Sequence, residues 1–173
     1  GFQLLDNLLE WSRITTGSIK PSSVVFTIDS VINNTVELLE AAITRKEIEI
    51  QLSIDNGLSV NADPNMIQAA IRNILSNAVK FTHRQGQIAI HAYRSKNFVV
   101  IDIRDNGVGM PSNVVRNLFK ISQITSSKGT EGEKGTGMGL LLCKEFIELN
   151  RGKITVQSTP GKGSTFRIKL PLA

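Results

Sequence analysis

Three glycines at alternate positions, Gly135, Gly137 and Gly139, stand directly before an apolar stretch that runs to about Leu149. Glycine leaves backbone N–H groups without side-chain cover. A helix that starts there adds unpaired N–H groups and the positive end of its dipole. The segment Glu133-Lys134-Gly135-Thr136-Gly137-Met138-Gly139-Leu140-Leu141-Leu142 therefore reads as an anion site, most naturally for phosphates. The two familiar phosphate loops fail on spacing. A G-x-G-x-x-G fingerprint needs a glycine at position 140, which is Leu140, and Gly161-Lys162 is followed by Gly163, so no G-x-x-x-x-G-K-[ST] exists. On the glycines alone, a linker before a core helix is the competing reading.

Two upstream clusters add chemistry. Asn73, Asn77 and Lys80 stand at i, i+4 and i+7, on one face of a helical pattern, near Ala69, Ala70 and Met66. Asparagine is a poor interior helix residue, so two of them one turn apart suggest groups held toward a cavity; a partly exposed polar shoulder is the alternative. Asp105-Asn106-Gly107-Val108-Gly109-Met110-Pro111 follows an apolar run. It is either a plain turn or a carboxylate acceptor presented at a pocket floor.

Elements must hold these groups. Phe2 to about Ile14 has helical apolar spacing and is too short to be stable without a partner. Val24 to Ile28 reads as a strand, and Asp29 or Ser30 as the cap of one helix to about Arg45. Ile48 to Ile54 alternates as a half-buried strand, and Leu58 to Asn61 is a candidate short one. Asp63 with Pro64 opens a helix to about Phe81, its core stripe being Ile67, Ile71, Ile74, Leu75 and Ala78. Gln87–Tyr93 and Asn97–Arg104 form an antiparallel hairpin whose second strand is central. A short helix from Ser112 to about Phe119 precedes a polar stretch, Ser122 to Thr136, of lid-like composition. Strands Lys153–Ser158 and Ser164–Leu170 close the chain.

The 173 residues carry 20 basic and 15 acidic side chains, a net charge of +5. The basic residues are scattered, without an arginine-rich run or interleaved aromatics, which disfavours nucleic acid as a partner. The lone Cys143 permits no intrachain disulfide and reads as a small core residue in a reducing compartment. No apolar run has membrane-spanning length and no signal peptide is visible. The chain opens mid-pattern, as a fragment would.

These motifs, in this order, resemble the N, G1, F, G2 and G3 boxes of sensor histidine kinases. They are Asn73-x3-Asn77-Ala78-Val79-Lys80-Phe81-Thr82, Asp105-x-Gly107-x-Gly109-Met110, Phe119, Gly135-x-Gly137-x-Gly139-Leu140, and Gly161-x-Gly163-Ser164-x-Phe166. The resemblance implies a Bergerat-type ATP-binding fold: an α/β sandwich with a mixed sheet, helices on one face, and a mobile lid. Residues 18–173 would be the catalytic domain. Residues 1–17 look like the end of a dimerisation and phosphoacceptor helix plus linker.

By resemblance, Asp105 accepts a hydrogen bond from the adenine amino group, with Ser164 or Thr165 supporting that edge. The sequence leaves open which of the two faces the pocket, and Thr165 is carried among the contacts. Asn77 holds Mg²⁺, Lys80 meets phosphate, and Gly135, Thr136, Gly137, Met138, Gly139 and Leu140 cradle the phosphates. Gly107, Gly109, Met110 and Phe119 complete the ATP contacts. Asn73 occupies the place where the water-activating branches of the fold carry glutamate, which favours transfer to a histidine; Asn73 and Lys80 are the catalytic candidates. Neither His83 nor His91 has a phosphoacceptor context, so the acceptor lies elsewhere. Met138 stands where leucine is usual, and Ile121 where a second aromatic often follows the F box. The implied partners are ATP, the acceptor domain and a downstream response-regulator receiver domain. The implied parent is a homodimeric, membrane-bound sensor with this domain on its cytoplasmic side. An ATP-hydrolysing clamp of the same fold, and a non-catalytic binding module, are the competing functions.

Overall fold

The computed structural model describes residues 9, 12–13, 16–120, 128–133 and 135–173. The expected first helix falls largely outside these residues; Leu9, Ser12 and Arg13 are helical and exposed. The order is β1 (Val24–Thr27), α1 (Ile28–Leu38), α2 (Glu40–Arg45), β2 (Glu49–Ile54), β3 (Ser59–Ala62), α3 (Pro64–Phe81), β4 (Gln87–Ser95), β5 (Phe98–Asp105), α4 (Ser112–Asn117), α5 (Gly139–Leu149), β6 (Lys153–Thr159) and β7 (Gly163–Pro171).

The single helix expected from Asp29 or Ser30 to Arg45 is two. Leu39 leaves helical geometry at ψ 2°, its N–H turning to Val36 O at 3.1 Å, and α2 starts on the next residue. Thr27, not Asp29 or Ser30, is the N-cap of α1, and no side chain caps it. At α3 the expectation holds. Asp63 Oδ1 accepts the N–H groups of Asn65 at 2.9 Å and Met66 at 3.2 Å, with Pro64 at the first position.

Five strands form a mixed sheet in the order β2-β4-β5-β7-β6, and β1 pairs with β3 in a small second sheet. Only β2 and β4 run parallel in the five-stranded sheet, as they must when a helix-bearing crossover through α3 joins them. Alternation decides the faces. Ile88, Ile90, Ala92, Val99, Ile101, Ile103, Phe166, Ile168 and Leu170 share one core with α1, α3 and α5. The intervening Gln87, His91, Asp102, Arg104, Thr165 and Arg167 look onto the other, open face. An antiparallel sheet tolerates water on one side, so one covering layer of helices is enough.

Helix α3 carries the centre of that layer. Ile67, Ile71, Ile74 and Leu75 are fully buried, each worth about 1.5–3 kcal/mol of transfer from water. Asn73, Asn77 and Lys80 lie half-buried at the edge of that stripe. Helix α5 packs on α3 through its own apolar face, which includes Leu141, Cys143 and Ile147. The core therefore fixes α3 relative to both the end of β5 and the start of α5.

Candidate nucleotide-binding site

Asp105 ends β5 on the helix-covered face and is 5 % exposed. Its Oδ1 accepts the Gly107 N–H at 2.9 Å and the Ser164 N–H at 3.3 Å. Among the described residues nothing donates to Oδ2. Burial pushes the carboxyl above its usual range, and the two backbone N–H groups pull it part of the way back. The turn after it is pressed against the end of α3. Val108 N–H donates to Phe81 O at 3.1 Å, and a Cβ on Gly107 would come within 2.2 Å of that same oxygen. Gly109, at φ +64°, lies against Thr159, where a Cβ would meet Thr159 O at 2.0 Å. Met110 N–H donates to Ser158 Oγ at 2.8 Å. The Asp105 turn is thus clamped between α3 and the β6–β7 hairpin.

The sheet register answers the question left open at residues 164 and 165. Ser164 pairs with Asp105, is buried, and shares a hydrogen bond of 2.9 Å with Ser158 Oγ. Thr165 pairs with exposed Arg104 on the open face. Thr165 is therefore on the wrong side of the sheet to join Asp105; Ser164 is the neighbour, because successive strand residues point to opposite faces. Parity was the available signal: Ser164 is in phase with Phe166 and Ile168, as Asp105 is with Ile103. Ser158, which supports Ser164, carried no comparable signal.

At the other end, Gly139 opens α5 directly against Asn73; a Cβ there would sit 3.3 Å from Asn73 Oδ1. Burial pushes the Cys143 thiol up to about 12, and the nearby Asn73 side chain pulls it the other way. Gly137 takes φ +75°, and Met138, the N-cap, has no side-chain cap bond. No acidic residue occupies the first turn of α5, so its positive end is not neutralised from within the helix. Met138 is 1 % exposed and belongs to the interior, and its N–H donates to Thr136 Oγ1 at 3.4 Å. Leu140, Met110 and Phe119 are half-buried and pack against the main core.

Lys80 lies between these ends. Its Nζ sits 4.7 Å from the centroid of the Phe81 ring. Desolvation lowers its pKa, and the nearby Glu133 carboxylate works in the opposite direction. From Asn73 to Phe81 is eight residues, about 12 Å along a helix axis. The carboxylate turn and the glycine run thus abut one helix about 12 Å apart, with Asn77 and Lys80 between them. The hollow of about 480 Å³ on the open sheet face is lined mainly by Gln87, His91, Arg104, Thr165 and Arg167, and it reaches Asp105 and Asn106 at the end of β5. His91 and His83 are both exposed, His91 on that open face.

A buried carboxylate acceptor and a glycine-lined helix start abut one helix, and the family follows from comparison with known sequences. Residues 62–173 match the profile described as Histidine kinase-, DNA gyrase B-, and HSP90-like ATPase. The chain belongs to this ATPase family. The relatives it resembles are histidine kinases, and it has the Bergerat-type α/β fold of their catalytic domains. It is 31% identical over 172 residues to the circadian input-output histidine kinase CikA of Synechococcus elongatus, covering 98% of this chain and 23% of the relative. It is 32% identical over 172 residues to the sensor histidine kinase RcsC of Escherichia coli, covering 98% and 18%. The chain thus spans about a fifth of the length of these curated relatives. The nucleotide-free catalytic domain of histidine kinase ThkA superposes with a TM-score of 0.76 at 25% identity, covering 87% of this chain and 95% of that one. ThkA in complex with response regulator protein TrrA gives a TM-score of 0.79 at 22% identity, covering 99% and 47%. As a family member the domain binds ATP. Among the described residues no helix is long and apolar enough to cross a membrane.

Proposed function

We propose that this domain binds ATP with Mg²⁺ and transfers the γ-phosphoryl group to a histidine on a separate dimerisation domain of the same parent protein. The observation that carries the reading is the abutment of the Asp105 turn and the Gly139 helix start on one face of α3, at a spacing that suits adenine at one end and a triphosphate at the other. Asp105 Oδ1 is held by two backbone donors, which leaves Oδ2 to accept from the adenine amino group. Guanine offers a carbonyl oxygen there, and an ionised carboxylate only accepts, so GTP is rejected by an unpaired buried group. Ser164 backs this edge in place of Thr165. Gly107, Gly109, Met110 and Phe119 shape its surroundings.

The phosphate end needs positioning and charge neutralisation more than covalent chemistry. Backbone N–H groups of Gly135 through Leu140 approach the phosphates, and Lys80 adds a mobile positive charge. Asn77 presents a half-buried neutral amide oxygen beside this region. That hard donor fits magnesium, which takes few protein ligands and completes its shell with phosphate and water. When bound, Mg²⁺ supplies neutralisation of the charge shared by the β- and γ-phosphates. In the transfer itself, the bond from the bridging oxygen to the γ-phosphorus breaks and a bond from an imidazole nitrogen forms.

Hydrolysis needs a base to activate water, and α3 carries no Asp or Glu along its length. Asn73 has no useful basicity. This favours phosphoryl transfer over the hydrolysing clamp. Residues 1–17 would be the end of the dimerisation helix of a homodimeric, membrane-bound parent, with this domain on the cytoplasmic side and a response-regulator receiver domain as the next acceptor.

The chain mixed with radiolabelled ATP, Mg²⁺ and a dimerisation domain bearing an acceptor histidine should yield acid-labile, base-stable phosphate on that domain. Steady ATP hydrolysis without transfer would revive the clamp. Asn77→Ala should abolish the Mg²⁺ dependence of ATP affinity in calorimetry; a persisting Mg²⁺ effect would place the metal on another residue.

A further inference from the structure

Lys46 is fully buried between α2 and β2, an unusual place for a lysine. Its Nζ lies 2.9 Å from Val79 O, 3.0 Å from Lys80 O and 3.2 Å from Thr82 O, at the C-terminal end of α3. It lies 2.7 Å from Thr130 Oγ1 and 2.7 Å from Glu133 Oε1. Three carbonyls, a hydroxyl and a carboxylate thus surround an ammonium that has three protons to donate. Capping a helix end would explain the carbonyls alone, since the last carbonyls of α3 lack intrahelical partners. It does not explain the other half of the shell, which comes from a turn 80 or more residues downstream.

That turn is moulded on the last turn of α3. Thr130 N–H donates to Lys80 O at 3.1 Å, and Thr130 Oγ1, accepting from Lys46, lies within 3.2 Å of Lys80 O and 3.0 Å of Thr82 O. Gly129 lies so close that a Cβ would meet Lys80 Cγ at 2.5 Å. Gly129 N–H donates to Glu133 O at 2.9 Å, which closes the turn on itself. The Glu133 carboxylate is divided: Oε1 faces Lys46, and Oε2 accepts the Glu131 N–H at 2.8 Å. Two residues later comes Gly135, the start of the glycine run.

We propose that Lys46 is a positioning residue for the nucleotide: its buried ammonium bolts the 129–133 turn to the end of α3 and thereby sets where the backbone of Gly135 to Gly139 meets phosphate. The proposal rests on the ATP reading above. Lys46 and the Asp105 turn meet the same end of α3, Lys46 at the carbonyls of Val79, Lys80 and Thr82 and the Val108 N–H at Phe81 O. Among the described residues no hydrogen bond joins Lys46 to Asp105, Gly107 or Ser164, and the Thr130 and Glu133 half of its shell leads on to Gly135.

Lys46→Met leaves several buried acceptors unpaired and risks unfolding, so Thr130→Val is the deciding variant: it is uncharged, nearly isosteric and cuts one strut of the bolt. Two measurements apply to it. The first is ligand-free: the amide resonances of Gly135, Gly137 and Gly139 should shift and exchange faster, while those of β4 and β5 stay put. The second is calorimetry, in which MgATP affinity should fall about three- to tenfold and adenosine affinity change less than twofold. Lys46→Met, where it folds, should exceed Thr130→Val in both. Unmoved glycine amides, or a loss shared equally by ATP and adenosine, would reduce Lys46 to a helix cap and overturn the proposal. Failure of the parent chain to bind ATP, with the amide shifts intact, would instead sink the ATP reading and leave the bolt standing.

Discussion

Asp105→Asn should weaken ATP binding by about 2–3 kcal/mol, roughly 30- to 150-fold, while leaving the domain as stable as before or more so. The two effects have one cause. Asparagine keeps an oxygen for the Gly107 and Ser164 N–H groups but places an NH₂ where Oδ2 should accept from adenine. Two donors then face each other. Stability moves the other way because the carboxyl is raised above its usual value of 3.8, chiefly by burial. Folding therefore disfavours the ionised form. That penalty is in force at pH above the folded pKa and vanishes as pH falls below the unfolded one. The neutral asparagine removes it at pH 7, so the variant should melt at or above the parent temperature. A pH series gives a second check. ATP affinity of the parent should decline as pH drops through the raised Asp105 pKa, earlier than an ordinary carboxylate would dictate, and the asparagine variant should lack that step. An unchanged affinity would remove Asp105 from the adenine site, and a variant that melts well below the parent would overturn the burial penalty.

Gly107→Ala should cost both binding and stability. Its Cβ would sit 2.2 Å from Phe81 O and 2.8 Å from Phe81 C, and these are backbone atoms that cannot step aside. The turn must lift from α3, breaking the Val108 to Phe81 bond and swinging Asp105 with it. Overpacking of this kind costs about 1–3 kcal/mol of stability. ATP affinity should drop at least about tenfold, since near-contact geometry at a buried acceptor is lost. Gly57→Ala is the control: Gly57 has φ +72° and nothing within 4 Å of a built Cβ, so it suffers backbone strain alone. Denaturant melts should show both variants destabilised, and calorimetry should show only Gly107→Ala impaired in binding. Equal binding by the two would mean that the close approach at Phe81 does not position the site.

Much of this architecture could be read directly from residue order. Asp63-Pro64 announces the start of α3, and the apolar phase of its side chains fixes which face carries Asn73, Asn77 and Lys80. Strict alternation in β4, β5 and β7 identifies the wet and dry sides of the sheet. Local rules failed where a distant partner decided the outcome. Nothing in Leu38-Leu39-Glu40 signals the break between α1 and α2. The choice between Ser164 and Thr165 depends on strand parity, where a slip of one residue reverses every assignment. Lys46 follows a helix and precedes Glu47, so it reads as a solvated charge. The carbonyls at the end of α3, joined by Thr130 and Glu133 from far downstream, make it interior.

The isolation of Cys143 has a practical consequence. The chain's sole thiol is sealed between α3 and α5, donates to Ala70 O at 3.4 Å, and is held protonated far above neutrality. An alkylating reagent needs an accessible thiolate, so it finds a target only in molecules whose two helices have parted. The rate of modification is then a clock for that separation, built into the chain without an added probe, and ligands that grip the seam between α3 and α5 would slow it.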